Sequence, residues 1–343
     1  MTLRKSLSAV FAGTGILFLI LDARTALAGA AAGTDLCIRT VIPSLFPFLF
    51  LCSLLTESMQ GMELPFMRYP CRLLGIPEGS QSILSVALLG GYPAGAAAVA
   101  DVYRQGNLSQ TDACRLLTFC SNAGPAFLFG MTARQFPEKG WILAVWTVLI
   151  LSAFLTGRIF SGKDPACKTV CPGHRCSSGI LERSVRTIAV ICGWVILFRI
   201  LTEFLDRWIA WYFSPELRVF LTGLLELSNG CCSLSTIPDI RMRFLVCTVI
   251  HACGGICVAM QTASVISGLP IKPYLTGKLI QSVISFVLSV LFLRFGWWAM
   301  AFTAACVFLF PPESKKAVAF RKISVYNADI TTGRAVYAVS KKN

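Results

Sequence analysis

The sequence predicts an all-α polytopic membrane protein, and three observations lead to this fold class. Hydrophobic residues make up 55% of the 343 residues and charged residues only 14%, whereas soluble globular chains carry about 25% charged residues. The mean hydropathy is +0.68. Apolar stretches recur along the chain, and in each half two of them are interrupted by glycine, proline or polar residues.

The first elements are predicted as two spans with a less apolar segment between them. Residues 6–21 form an uncharged apolar run, and we expect it to be an uncleaved span because Asp22 and Arg24 intrude before the small residues of an apparent signal-peptide cleavage site. The Ala-rich segment 23–39 is expected at the membrane interface or inside the bundle. A further span is expected over residues 43–56, with Pro43 and Pro47 at its start.

A re-entrant hairpin is predicted next. Residues 81–89 and 96–105 are each too short, as helices, to cross a hydrocarbon core of about 30 Å. They flank the run Gly90-Gly91-Tyr92-Pro93-Ala94-Gly95, in which glycine permits unusual backbone conformations and proline removes a backbone donor. Two half-length helices around such a tip describe a hairpin that enters the membrane and returns.

A broken helix follows the hairpin. Ser109 and Asp112 are spaced as in a capping box, which predicts a helix from there to Asn122. The helix is expected to break at Gly124-Pro125 and to resume over residues 127–134. An uninterrupted span is then predicted over residues 140–157.

The second half repeats this order of elements. A span is predicted first, then a hairpin with its tip at Glu226-Leu227-Ser228-Asn229-Gly230, then a helix broken at Gly254-Gly255, and a last pair of spans. Their predicted ranges are 187–204, 217–237, 244–267, 279–293 and 297–310. The chain thus divides into a first membrane repeat 1–157, a linker 158–186, a second repeat 187–310 and a basic tail 311–343.

The distribution of charge predicts the topology. Most of the 31 lysines and arginines, Lys272 and Lys278 among them, fall on segments that a cytoplasmic N-terminus would place inside. Both termini and the linker are therefore expected in the cytoplasm. The two hairpins then enter from opposite sides, so the halves are predicted to be inverted repeats, as in many secondary transporters.

Matched interruptions in two halves are the best sequence indication of a binding site in a transporter-like protein. Broken backbone at membrane depth persists only where protein or a water-filled cavity covers it. The residues predicted to bind a solute are those of the four interruptions, together with one polar residue beyond the last: Gly91, Tyr92, Pro93, Gly95, Asn122, Gly124, Pro125, Glu226, Ser228, Asn229, Gly230, Gly254, Gly255 and Gln261.

Ionisable residues within membrane segments are rare and usually functional, and Glu226 is the foremost of them. It could bind a cation, accept a coupling proton or hydrogen-bond a solute; alternatively, it caps a helix or pairs with Arg218 or Arg241. His251 is as compatible with packing as with proton or metal binding, and Arg199 and Glu203 are spaced as a local ion pair. His251 and this pair are left out of the predicted site.

Other functional classes are not indicated. No catalytic constellation, metal-ligand spacing or cofactor motif occurs, so no enzyme, metal site or cofactor is predicted. The net charge of +14 does not form a basic stripe interleaved with aromatic residues, so nucleic-acid binding is not predicted. The expected partners are membrane lipid and a small polar solute, while a coupling cation or proton and a homo-oligomeric state are left open.

Two runs give a family resemblance. Leu88–Ala96 with Arg104-Gln105-Gly106, and the run Ser121-Asn122-Ala123-Gly124-Pro125, resemble the nucleoside-recognition (Gate) membrane domain family. The branch they resemble is that of the sporulation integral membrane proteins of the YlbJ type. Leu225–Gly230, and Gly254-Gly255 followed by residues 261–264, are similar to the second half of that pattern.

The resemblance implies a role in endospore formation at the plasma or forespore membrane of a bacterium. It also implies distant kinship with the concentrative nucleoside transporters, whose hairpin tips hold the substrate. A transporter of a nucleoside-like solute is therefore expected. The alternatives are metal permeation, with Cys231 and Cys232 as soft ligands, and a non-transporting scaffold for sporulation partners.

Overall fold

The computed structural model describes residues 2–58, 65–77, 80–161, 179–208 and 212–309. The predicted tail 311–343 and most of the predicted linker, residues 162–178, lie outside these ranges.

Every regular element in the described ranges is helical. The α-helices are α1 Thr2–Leu21, α2 Ala23–Leu36, α3 Ile42–Ser58, α4 Pro65–Leu73, α5 Gln81–Leu89, α6 Ala94–Arg104, α7 Gln110–Leu117, α8 Pro125–Gly130, α9 Lys139–Phe160, α10 Ile180–Trp208, α11 Pro215–Leu225, α12 Leu227–Cys232, α13 Ile240–Cys253, α14 Gly255–Val265, α15 Lys272–Phe295 and α16 Trp297–Leu309.

Five helical stretches among the described residues are long and apolar enough to cross a membrane, namely Ala23–Leu55, Lys139–Phe160, Ile180–Trp208, Ile240–Val265 and Lys272–Phe295. The predicted class, an all-α polytopic membrane protein, is confirmed. The helices α9 and α10 extend beyond the predicted spans, so each reaches into the sequence predicted as a linker.

The sequence predicted that the prolines near the start of the chain open a separate span. The structure does not show this separation. A π-helical turn, Cys37–Val41, joins α2 to α3, and Pro47 lies inside α3. A π-turn and a proline both disturb the regular hydrogen bonds of a helix without ending it. The segments predicted as 23–39 and 43–56 therefore form one helical path.

The Ala-rich helix α2 packs on α10 through one face, and most of its other residues are exposed, so it lies at the edge of the bundle rather than inside it. Its buried residues are Thr25, Ala26, Gly29 and Gly33, spaced so that they share one face. A Cβ added at Gly29 would lie 2.8 Å from Ile200 Cα, and one at Gly33 would lie 2.9 Å from Ile196 Cα. Small residues on this face therefore let the backbones of α2 and α10 approach closely, as in other membrane helix pairs.

The hairpin and broken helix of the first half are present. The half-length helices α5 and α6 pack together around Gly90–Pro93. Ser109 caps α7 by accepting a hydrogen bond from the backbone nitrogen of Asp112 at 3.0 Å, which confirms the predicted start. The helix ends at Leu117 rather than at Asn122, and residues 118–124, which begin with a turn, form the interruption before α8.

The second half has the same order of elements. The helices α11 and α12 pack together and meet at Glu226, and α13 and α14 meet at Gly254, which has a positive φ of 76° that ends α13. The last predicted turn is also present, since Gly296, with φ 61°, separates α15 from α16. The helix α15 packs against α7, α9, α13 and α16, and therefore links the second half to the broken helix of the first.

Candidate functional site

The first hairpin tip lies against the first broken helix. A Cβ added at Gly124 would lie 2.9 Å from Gly91 Cα, and Gly91 has a positive φ of 73°. A Cβ at Gly95 would overlap the carbonyl oxygen of Cys120. Glycine at these positions therefore permits direct backbone contact between the hairpin and the interruption.

Tyr92, at the first tip, reaches the broken helix of the second half. Its hydroxyl group donates a hydrogen bond to the carbonyl oxygen of His251 at 2.8 Å. A Cβ added at Gly254 would lie 3.2 Å from Tyr92 Cζ. The tip of the first hairpin therefore contacts the second interruption directly.

The second hairpin contacts the same interruption. A Cβ added at Gly255 would lie 2.7 Å from the carbonyl oxygen of Gly223 and 3.0 Å from that of Leu224. Gly230 also packs on Gly223, where a Cβ would overlap the backbone. The four interruptions thus form one continuous contact region rather than two separate sites.

Glu226 caps α12 with its own side chain. Its carboxylate oxygens accept hydrogen bonds from the backbone nitrogens of Ser228 at 3.0 Å and Asn229 at 2.7 Å, and the residue is only 2% exposed. The predicted capping alternative is therefore present. Neither predicted ion pair is found among the described residues, and Arg218, one of the two predicted partners, pairs instead with Asp206 at 3.0 Å.

A cavity opens where these elements meet. Most of its lining is apolar, and Glu226, Ser228 and Gln261 are among its few polar residues. Its full lining comprises Thr40, Val41, Ser44, Leu45, Phe48, Leu89, Gly90, Gly91, Tyr92, Ala123, Gly124, Ala126, Phe127, Ile191, Val195, Glu226, Leu227, Ser228, Val258 and Gln261. A mostly apolar concavity with a few convergent polar groups is typical of small-molecule sites.

The structure brings some of the predicted site residues to the cavity and places the others behind it. Gly91, Tyr92, Gly124, Glu226, Ser228 and Gln261 line the cavity. The remaining predicted residues do not line it, namely Pro93, Gly95, Asn122, Pro125, Asn229, Gly230, Gly254 and Gly255. Several of these set the backbone contacts that form the tips.

Lys278 is a central polar residue that sequence reasoning missed. The predicted topology places it on a cytoplasmic segment, whereas it lies within α15 and is only 2% exposed. Its ammonium group donates to the hydroxyl oxygen of Tyr92 at 3.1 Å and to Asn122 Oδ1 at 3.3 Å. It also donates to Gln281 Oε1 at 2.6 Å. Lys278 therefore gives no support to the predicted topology, because a lysine buried among helices does not indicate on which side of the membrane a loop lies.

Gln281 extends this network. Its Nε2 donates to Asn122 Oδ1 at 2.9 Å and to Ser152 Oγ at 3.4 Å. Asn122 in turn donates to the carbonyl oxygen of Phe119 at 2.8 Å. The side chain of Asn122 in the first interruption is thus held by two residues of α15, one of which also bonds to α9.

The residues left out of the predicted site have structural partners. His251 is fully buried, and its ring nitrogens lie 2.7 Å from the carbonyl oxygen of Cys247 and 3.1 Å from Thr132 Oγ1. Arg199 and Glu203 form the predicted local ion pair at 3.0 Å.

The cysteines beside the second tip do not form a paired ligand set. Cys231 is buried and lies 3.5 Å from His251 Nε2, whereas Cys232 is exposed. Among the residues that the structure describes, no group of three or more His, Cys, Asp or Glu side chains is arranged to hold a metal ion.

Fold and site together define a polytopic α-helical membrane protein with polar residues gathered at four helix interruptions. The chain is 25% identical over 317 residues to the sporulation integral membrane protein YlbJ of Bacillus subtilis (strain 168), covering 78% of this chain and 76% of that protein. The chain is thus related to the YlbJ-type proteins, as the resemblance predicted. No family model matches the chain, and no solved structure matches it.

Proposed function

We propose that this protein acts in endospore formation as a membrane transporter of a small polar solute that binds between the two hairpin tips. The observation that carries the proposal is that residues of both hairpin tips and both broken helices line one cavity. The similarity to a sporulation integral membrane protein of Bacillus subtilis supplies the cellular process.

The chemistry of the cavity favours a solute with an apolar body and hydrogen-bond donors. Phe48 and Phe127 offer aromatic surface, and Glu226, Ser228 and Gln261 offer polar groups on the side of the second half. The carboxylate of Glu226 already accepts two backbone hydrogen bonds. Because an ionised carboxylate has about four lone-pair sites, it can still accept from a hydroxyl or amino group of a solute.

This combination suits a nucleoside-like molecule, which has a flat ring and several hydroxyl groups. An anionic solute is less suited to the second tip, because the backbone N–H groups at the start of α12 are already satisfied by Glu226. Alternating access would follow from movement of one half against the other around the cavity.

A panel of solutes tests the proposal. Purified full-length protein is screened by thermal shift against nucleosides, nucleobases, small organic acids and divalent metal ions, and solutes that raise the melting temperature are then tested for uptake into proteoliposomes. The proposal expects stabilisation and uptake for at least one neutral polar solute. Stabilisation by divalent metals alone would favour metal permeation, and stabilisation without uptake would favour a non-transporting receptor or scaffold.

A further inference from the structure

The buried ammonium group of Lys278 is held by neutral oxygen atoms. Its three donor directions are taken by Tyr92, Asn122 and Gln281 at 3.1, 3.3 and 2.6 Å. The ammonium group also lies 5.0 Å from the centre of the Tyr92 ring. A fully satisfied cation therefore sits directly behind the first hairpin tip.

This positive charge has no carboxylate partner among the described residues. The ion pairs found there involve other side chains, and the carboxylate oxygens of Glu226 are directed to backbone nitrogens. An unpaired charge at this depth is unfavourable, and charges kept in membrane segments usually mark functional positions. The Lys278 nitrogen is surrounded by one hydroxyl and two amide oxygens instead of a carboxylate, and neutral oxygen atoms of this kind also serve as ligands of hard metal cations.

The close approach of α15 to the first interruption places Lys278 at this position. A Cβ added at Gly277 would overlap the backbone of Thr118, so α15 lies directly against the start of the first interruption. The side chain of the next residue, Lys278, then reaches the oxygen atoms of the tip and of the interruption together. In secondary transporters, unwound backbone and half-helix ends are the places where coupling cations bind.

We propose that the Lys278 ammonium group takes the place of a bound metal cation in a site between the first hairpin tip, the first interruption and α15. Lys278 thereby supplies the positive charge that holds the first hairpin tip in place. Formation of the solute site then requires no sodium or potassium ion. This inference deepens the proposed function, but its test below needs no solute.

Chemical rescue provides the test. Lys278→Ala shortens the side chain and leaves the three acceptor oxygens, so it creates a vacant cation site. Thermal unfolding of the purified full-length variant is measured at constant ionic strength in sodium, methylammonium, propylammonium or tetramethylammonium chloride. We expect a melting temperature several degrees below that of the wild type, and recovery of at least half of this loss in propylammonium, methylammonium or sodium. Tetramethylammonium, which lacks N–H donors, should give no recovery.

Three comparisons make the result specific. Lys278→Met fills the space without a charge, so we expect it to be destabilised and not rescued by any of the cations. Lys272→Ala changes an exposed lysine of the same helix, so it should match the wild type in every salt. The wild type should show the same melting temperature in sodium and in tetramethylammonium chloride.

The proposal is overturned if Lys278→Ala is as stable as the wild type, or if no cation restores it more than tetramethylammonium does. It is also overturned if the stability of the wild type itself depends on sodium, a measurement that does not require the variant to fold. Failure to find a transported solute would contradict the proposed function and leave this result intact.

Discussion

The ammonium nitrogen of Lys278 lies 3.1 Å from the hydroxyl oxygen of Tyr92, although 186 residues separate them in the chain. The same hydroxyl group donates to the carbonyl oxygen of His251 at 2.8 Å. Tyr92 therefore joins the tip of the first hairpin to two elements of the second half, the helix α15 and the broken helix α13–α14. Any movement of one half against the other must therefore break these hydrogen bonds, unless Tyr92 moves together with the second half.

Tyr92→Phe removes the shared hydroxyl group while keeping the ring. Because the ammonium group of Lys278 loses one of three acceptors and the carbonyl of His251 loses its donor, we expect a loss of about 1–3 kcal/mol in unfolding free energy. Thermal or denaturant unfolding of the purified protein measures this loss. Tyr69→Phe is the matched control, since the hydroxyl of Tyr69 bonds the carbonyl of Phe308 on an exposed part of the molecule. Equal losses in the two variants would contradict the central role of Tyr92.

Glu226→Gln separates the charge of this residue from its capping role. The amide oxygen of glutamine can still accept a backbone hydrogen bond, so we expect a modest loss of stability of about 0.5–2 kcal/mol, as for other caps. Solute binding should fall much further, at least tenfold, because the acceptor that faces the cavity becomes neutral and gains donors. Isothermal titration of a solute identified by the thermal-shift screen measures the affinity.

Asp239→Asn is the control for this change, because Asp239 caps α13 at an exposed position outside the cavity lining. It should lose similar stability and keep the wild-type affinity. Retention of full affinity by Glu226→Gln would leave Glu226 as a helix cap without a role in binding.

Gly124→Ala tests the contact between the first tip and the first interruption. The added Cβ would lie 2.9 Å from the backbone of Gly91, so the tip must shift, and we expect weaker solute binding together with a loss of about 1–3 kcal/mol from overpacking. Gly140→Ala adds the same atom at the start of α9, where nothing lies within 4 Å, and should change neither quantity. Binding and thermal unfolding are measured for both variants, and an unaltered Gly124→Ala would contradict the close approach.

Gly33→Val tests the packing of α2 on α10. Because a Cβ at this position would lie 2.9 Å from Ile196 Cα, the helices must separate, and we expect destabilisation by about 1–3 kcal/mol. The control is Gly13→Val in α1, where a Cβ would meet nothing within 4 Å. If both variants unfold like the wild type, α2 does not pack on α10 in the way described.

Much of the fold could be predicted from the sequence because the informative signals were local. The cap at Ser109 and the breaks at Gly124-Pro125 and Gly254-Gly255 depend on the chemistry of a few adjacent residues. The local pair of Arg199 and Glu203 depends on helical spacing alone. By contrast, Pro47 was expected near the start of a separate span, whereas the structure continues the helix through it.

The role of Lys278 could not be predicted in the same way, because it depends on contacts between distant segments. A lysine next to an apolar run is most simply interpreted as a flanking residue on the cytoplasmic side. A signal was nevertheless present. Lys278, Gln281, Ser285 and Ser289 recur at helical spacing and all are buried in α15, so this polar stripe could have indicated a face directed into the bundle.

The most direct test of the central claim is solute binding to the wild type and to the Glu226→Gln and Asp239→Asn variants, measured side by side by thermal shift with the same panel of neutral polar solutes. We expect at least one solute to raise the melting temperatures of the wild type and of Asp239→Asn equally, and to raise that of Glu226→Gln little or not at all. A solute that stabilises all three proteins equally would contradict a site at the hairpin tips, as would a panel in which only divalent metal ions stabilise the wild type.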